Sequence, residues 1–319
     1  TLKEWTALGF YEAELAGKPW PLTYGCAMRK LYERMEIRIL PEKSIFPCEP
    51  LPNAKNMAAD KVWAAISFIL NFNHHCGLYV EQIVIDEKKA QHPELASFID
   101  ELAVDLRKKT AHFGGYTHSN PDIRRVVNEG FLSMEKELDQ ELAAVKAQGK
   151  SAKPGELNFL LAVKEYAEGV KTFHSRTLLA IKEAAAKAEG KRKERLEKIA
   201  SAFANCFLWK SESFLEGLLA VNFTWMLDGC DSIGVFDQTL APLFEKDIAE
   251  GRIEINFVRE LLDEVWQNFE KFNSWNMQIG GRRPDGKDGC TAFTRECLLA
   301  CGRNKLRRPN VAFRVTEDT

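Results

Sequence analysis

Met277–Gln278–Ile279–Gly280–Gly281 and, further along, Val311–Ala312–Phe313–Arg314–Val315 are the two stretches that decide the fold. Each has a short apolar core, the second rich in β-branched residues. The first is closed by paired glycines, and the second follows Pro309–Asn310. Both read as strands. Between them lie a loop rich in Gly and Asp and a helical run from about Thr291 to Cys301, with Gly302 placed as its C′ cap. Strand, loop, helix, strand is a βαβ unit, which requires a parallel sheet and a right-handed crossover. The fold class expected is therefore α/β, mostly helical in this chain. Two strands make an incomplete sheet for such a domain, so the ending at Thr319 reads as a truncation.

Upstream of this unit the pattern is helical. Val258, Leu262, Val265, Phe269 and Phe272 share one face of a helix for which Asn256 is the predicted N-cap. Phe214 to Leu227 and Arg195 to Phe207 read as two more helices. Leu160, Val163, Ala167, Val170, His174, Thr177 and Ile181 mark one face of a long one. Ile123 to Gln148 is expected as a single helix introduced by Pro121 and ended by Gly149. Pro93 to Lys109, with Leu95, Phe98, Leu102 and Leu106 at helical spacing, is another, and Met57 to Phe72 a further one. Six prolines, from Pro19 to Pro52, leave room only for short helices before that, such as Met28 to Met35.

Composition limits the function classes. Of 319 residues, 45% are hydrophobic and 28% charged, with a formal net charge of -2, so a polyanion such as nucleic acid is not the implied partner. Arg303, Lys305, Arg307 and Arg308 form a short basic run that reads as a solvated loop. No apolar run reaches the ~20 residues of a membrane span. No basic-then-apolar secretory leader opens the chain. The eight cysteines then read as reduced thiols of a soluble, cytoplasmic protein, and without a CxxC pair no structural zinc or other metal site is expected.

Several local motifs invite chemistry. Gly281, Gly286 and Lys287 satisfy G-x-x-x-x-G-K after a strand, but Asp288 stands where a phosphate-binding loop needs Ser or Thr. Asp285 adds a second carboxylate and Pro284 removes a backbone donor, so nucleotide binding is rejected. His74, His75 and Cys76 are adjacent and point in different directions on any regular element. His112 and His118 flank Gly114–Gly115, which suits a site or a plain turn. Cys297 and Cys301 are one helical turn apart and read as small core thiols. Asp228–Gly229–Cys230–Asp231–Ser232 could form a pocket floor, or could cap a helix through local side-chain bonds.

The ordered set of motifs resembles the pyruvate formate-lyase family of glycyl radical enzymes. Ser232–Ile233–Gly234–Val235–Phe236–Asp237–Gln238, then Pro242, Asp247 and Gly251, is similar to the family's S-x-G-R-x-D-Q…P-x-x-x-x-D…G block. Arg195–Leu196, Ile199–Ala200 and Ser213–Phe214–Leu215–Glu216 resemble the helices before it. Ile279–Gly280–Gly281, Asp285 to Asp288 and Pro309–Asn310…Arg314 resemble the segment after it. The match is strong over about residues 160–319, extends to about 116, and is weak over 1–115. Val235 replaces the family's arginine and Cys290–Thr291–Ala292–Phe293–Thr294 its N-E-L-S, which marks a divergent branch.

That resemblance implies a ten-stranded α/β barrel, of which this chain would supply the N-terminal helical region and, from near residue 277, the start of the first half-barrel. It implies anaerobic radical chemistry: a glycyl radical, installed by a radical SAM activating enzyme, acts through a loop cysteine on a small-molecule substrate. A homodimer is compatible with it. Both radical-bearing residues are expected beyond Thr319, so no catalytic residue lies in this chain and the isolated chain should not turn over. The substrate-binding residues implied are His118, ahead of Pro121–Asp122–Ile123–Arg124–Arg125–Val126, and Cys230, Asp231 and Ser232. Asp231 would accept a proton or hydrogen bond, and His118 would orient a hydroxyl or carboxylate. The expected reaction is that of a lyase or dehydratase. Within the family the alternative is formate C-acetyltransferase activity, and outside it a non-catalytic helical interaction module.

Overall fold

The computed structural model describes residues 2–35, 37–39, 48–49, 82–110, 120–149, 153, 155–228, 232–271 and 276–317. The helix expected over Met57 to Phe72 and the motif His74–His75–Cys76 lie outside them. Two compact units divide the chain, one holding residues 1–36, 51–118 and 140–173, the other 37–50, 119–139 and 174–319.

In the first unit, α1 (Leu2–Leu15) packs on α2 (Leu22–Arg34). The second helix is longer than expected because Pro21 sits at its N-cap, where a missing N–H costs nothing. Met28, Leu31 and Tyr32 are buried, and Tyr32 meets Tyr166 and Phe173 at ring-centroid distances of 5.7 Å each. After α3 (Gln82–Gln91), a 3₁₀ turn at Pro93–Leu95 leads into α4 (Ala96–Thr110). This helix forms as expected, but Leu95 and Phe98 of its apolar pattern are 46% and 57% exposed, and Ala103 is buried instead.

The second unit includes a short antiparallel pair, β1 (Arg38–Ile39) and β2 (Cys48–Glu49). Its helices begin with α5 (Ile123–Glu129), capped by Asp122, whose side chain accepts the Arg125 N–H. The single helix expected over Ile123 to Gln148 is broken at Gly130, and α6 (Phe131–Gln148) starts afresh. Gly130 has φ +83° and lies against residues 208–209, where a Cβ would come within 2.5 Å of the Trp209 backbone. The N–H groups of Phe131 and Leu132 donate instead to the carbonyls of Phe207 and Leu208, at 2.7 and 3.1 Å. Tertiary contact, not propensity, ends the helix there.

α7 (Glu156–Lys187), which belongs to the first unit up to Phe173 and to the second from His174, carries the expected face, with Ala167, Val170, His174, Thr177 and Ile181 buried. α8 (Gly190–Asn205) begins earlier than its apolar pattern, and α9 (Phe214–Asp228) is a core helix, with Phe214, Leu218, Leu219, Val221, Phe223 and Trp225 buried. α10 (Phe236–Ala249) and α11 (Ile255–Lys271) follow. The latter begins one residue before Asn256, and Val258, Leu262, Val265 and Phe269 are all essentially inaccessible.

Three parallel strands close the unit: β3 (Ser232–Val235), β4 (Asn276–Gly280) and β5 (Asn310–Arg314), in the order β3-β4-β5. The βαβ reading of the last two holds, with α12 (Ala292–Asn304) as the crossover. β3 was not foreseen as a strand. It is four residues long with Gly234 at φ +68°, and pairing with β4 is what extends it. β4 is therefore the middle strand, with Met277 and Ile279 fully buried rather than exposed at an edge. β5 is open on its outer side among the described residues, and Phe313 there is 37% exposed. α12 starts at a capping box on Thr291 and ends at Lys305 in the left-handed region, so Gly302 lies inside the helix and is not its cap. Among the described residues no helix is long and apolar enough to cross a membrane.

Candidate functional site

The sheet has two ends, and each gathers polar residues. At the strand starts, Ser232, Asn276 and Asn310 stand side by side in register. The Ser232 N–H donates to Oδ1 of Asn120 at 3.0 Å, and Ser232 Oγ accepts from the Gly234 N–H at 3.1 Å. Asn120 follows His118 by two positions, and Ser232 directly follows Cys230–Asp231. Of the four residues expected to bind substrate, Ser232 is placed in this row; His118, Cys230 and Asp231 lie outside the described residues. Asn120 had no signal of its own in the sequence, because its partner is 112 positions away.

At the strand ends, the Asp237–Gln238 pair of the motif grips β4. Asp237 is wholly buried, and its Oδ2 accepts the Gly280 N–H at 2.8 Å and the Thr294 hydroxyl. Its Oδ1 accepts the Gln238 N–H at 2.8 Å, and Gln238 Nε2 donates to the Gly280 carbonyl at 2.9 Å. Both backbone groups of Gly280 are thus held by adjacent side chains, and each oxygen of the buried carboxyl group has a donor, so its polar atoms are satisfied. Gly280 and Gly281 have φ of +68° and +83°. A Cβ on the second would come within 2.9 Å of Arg314 Nε, so the G-G pair fits this turn for both reasons. Asp247, the other motif carboxylate, accepts the Phe214 N–H at 2.8 Å and pairs with Arg252 at 2.8 Å, tying the start of α9 to the end of α10.

The loop after Gly281 is laced by its own hydrogen bonds. The N–H groups of Arg283, Gly286 and Gly289 donate to Lys287, Arg283 and Gly281 carbonyls, and those of Lys287 and Cys290 to the Asp285 and Asp288 carboxylates. These five donors are engaged within the loop. Hydrogen bonds from Cys290, Thr316 and Gly289 outweigh the effect of burial and hold the Asp288 carboxyl below its ordinary range.

Cys297 and His174 are buried and Cys301 is half-buried. Cys297 is fully buried, and burial together with the nearby Asp237 carboxylate pushes it well above the usual thiol range. Burial also raises Cys301, against a hydrogen bond with Trp266. His174 stacks on Phe203 at 4.6 Å and bonds the Cys206 carbonyl through Nε2 at 3.1 Å. Burial lowers it to about 4 against the Cys206 and Phe203 carbonyls, so it stays neutral. Among the described residues no group of three or more His, Cys, Asp or Glu could hold a metal ion.

The family model for pyruvate formate lyase-like proteins matches residues 93–319, most of the chain. The chain belongs to this family of glycyl radical enzymes. Isethionate sulfite-lyase of Nitratidesulfovibrio vulgaris is 26% identical over 219 residues, 61% of this chain and 26% of that protein. The Oleidesulfovibrio alaskensis isethionate sulfite-lyase matches to the same extent. The chain thus spans about a quarter of the length of these relatives. Among solved structures, a glycyl radical enzyme from Archaeoglobus fulgidus aligns with a TM-score of 0.73 at 22% identity, over 98% of this chain and 46% of that one. A Roseburia inulinivorans protein of 1,2-propanediol dehydration aligns at 0.74 and 17% identity, over 98% and 44%. Hydroxyproline dehydratase of Clostridioides difficile gives 0.70 and 15%, over 100% and 47%. At these identities the structures share the fold: a mostly helical chain with a small parallel sheet.

Proposed function

We propose that this glycyl radical enzyme chain is part of a lyase or dehydratase that removes a small leaving group from a polar organic substrate. The observation that carries this reading is the similarity to isethionate sulfite-lyases. The fold likeness to proteins named for propanediol, glycerol and hydroxyproline dehydration is consistent with it. Isethionate, 1,2-propanediol and glycerol share a carbon bearing a hydroxyl beside a carbon that loses sulfite or water. A substrate of that shape is the one proposed.

On this reading the three strands open a barrel that polypeptide beyond Thr319 completes. That polypeptide also carries the thiyl cysteine and the glycyl glycine. Once a radical SAM activating enzyme has installed the radical, it supplies hydrogen abstraction from the substrate. His118, Cys230, Asp231 and Ser232 line the pocket. His118 orients the substrate hydroxyl, and Asp231 accepts its hydrogen bond and the proton that leaves with cleavage. The Asn120–Ser232 bond supports the grouping, since it ties the N–H directly after Asp231 to a side chain two positions after His118.

The test uses the complete gene product, activated without oxygen, with isethionate, 1,2-propanediol, glycerol and trans-4-hydroxy-L-proline as substrates. A glycyl radical in the electron paramagnetic resonance spectrum and turnover of one of these are expected. His118→Ala and Asp231→Asn should each lower kcat by about 100-fold or more while leaving the radical signal. Formate and an acetyl thioester formed from pyruvate would establish the acetyltransferase instead. A complete polypeptide that forms no radical would establish the non-catalytic module.

A further inference from the structure

Lys18 and Cys26 are hydrogen-bonded to each other in the first unit, outside the motifs of the family block. Their placement follows from the backbone. α1 ends in a turn in which the N–H groups of Ala16, Gly17 and Lys18 donate to the carbonyls of Glu12, Glu14 and Ala13, with Gly17 in the left-handed region. This ending fixes the stem of Lys18 where the chain leaves the helix. Cys26 lies on α2, which packs on α1. The Lys18 ammonium donates to Cys26 Sγ at 3.1 Å. Cys26 is half-buried and the Lys18 side chain is 37% exposed, so the pair is open to small solutes from solvent.

The surrounding charges bear on the amine. Glu165 lies 3.8 Å from Lys18 Nζ, but its other oxygen is taken by Arg29 at 3.0 Å, and Arg29 also binds Glu33 at 2.8 Å. The hydrogen bond to Cys26 is the largest influence holding Lys18 charged, while burial and Arg29 act against it. Once the sulfur carries a hydroxyl it is electrophilic, and the Lys18 nitrogen, after giving its proton to solvent, stands at hydrogen-bond distance from it.

We propose that Lys18 and Cys26 are a peroxide-sensitive modification site at which oxidation of the thiol is captured as a reversible lysine–cysteine sulfenamide. Hydrogen peroxide oxidises the Cys26 thiol to a sulfenic acid with release of water. The Lys18 nitrogen lone pair then attacks the sulfur, the S–O bond breaks, and the hydroxyl leaves as a second water with a proton from the amine. The product joins Nζ to Sγ and is lighter than the reduced protein by two hydrogens. A thiol added later reduces the S–N bond and restores both side chains. Capture of a sulfenic acid by a nearby nitrogen is established cysteine chemistry. It protects the sulfur from irreversible further oxidation.

The test treats the 319-residue chain with limited peroxide, digests it without reductant and analyses the peptides by mass spectrometry. The expected product is a peptide pair linked through Lys18 and Cys26, two hydrogens light, that dithiothreitol dissolves. Lys18→Met and the charge-conserving Lys18→Arg should lose the link and instead accumulate a dimedone-trappable sulfenic acid and then a sulfinic acid. Circular dichroism of Lys18→Arg checks that the fold is retained. Sulfinic acid formed at Cys26 of the unaltered chain as fast as in Lys18→Arg, with no linked peptide, would overturn the proposal. So would Cys26 left unoxidised, or joined to another cysteine.

Discussion

Two buried polar centres of the second unit solve opposite problems. Asp237 is buried with three donors converging on its carboxyl group: the Gly280 N–H, the Thr294 hydroxyl and the Gln238 N–H. His174 is buried among Phe203, Phe207 and Phe223 with carbonyl oxygens as its polar neighbours, and it gives up its charge. The contrast lies in the partners that burial leaves each group: donors around the carboxyl group, carbonyl acceptors around the imidazole. The first centre holds backbone at a strand end in a required geometry. The second fills an aromatic core, where a neutral ring is sufficient.

The comparison breaks most visibly at Asp237. Asp237→Ala strands buried donors and should cost roughly 3 kcal/mol or more in urea unfolding. Asp237→Asn retains one good acceptor and should cost about half of that. Equal losses for both variants would mean that volume, not hydrogen bonding, holds the strand end.

For His174 the prediction concerns pH. Its folded value of about 4 lies below the ordinary 6.5, so the unfolded chain binds the proton more readily. Its contribution is fully present above 6.5 and is lost as the pH falls from there through 4, up to about 3 kcal/mol in all. His174→Phe should flatten the fall in unfolding midpoint between about pH 7 and pH 4.5. An unchanged slope would assign the acid sensitivity elsewhere.

Smaller effects test how tertiary contact overrides local sequence. Gly130→Ala should destabilise by about 2 kcal/mol, through the unfavourable φ and the clash with the Trp209 backbone. Thr291→Ala removes the acceptor for the Phe293 and Thr294 N–H groups and should cost about 1 kcal/mol. Thr291→Ser should recover most of it, both read from thermal unfolding.

Much of this was legible in the chain. The faces of α7 and α11 were read because their apolar residues repeat over many turns, and β4 and β5 because apolar runs end at Gly or follow Pro–Asn. The break at Gly130 was not, since an isolated glycine is compatible with a continuing helical pattern and the Trp209 backbone decides. Leu95 and Phe98 had the spacing of a buried face yet are exposed, because the spacing does not supply a partner. In the candidate site the motif marked Ser232, Asp237 and Gln238 as a group. It could not show that Thr294, 57 positions beyond Asp237, shares its carboxylate, or that Asn120 holds Ser232.

By itself, then, the sequence determined the family, the helical majority and the parallel βαβ ending, because periodicity, caps and motif order are local properties of a chain. Only the tertiary structure decided that Ser232–Val235 is a strand, that β4 is central, and that Asp237 is a clasp on Gly280. Those outcomes depend on which distant backbone groups need partners. Hydrogen-bond demand is met across space and leaves no mark on the residues next door.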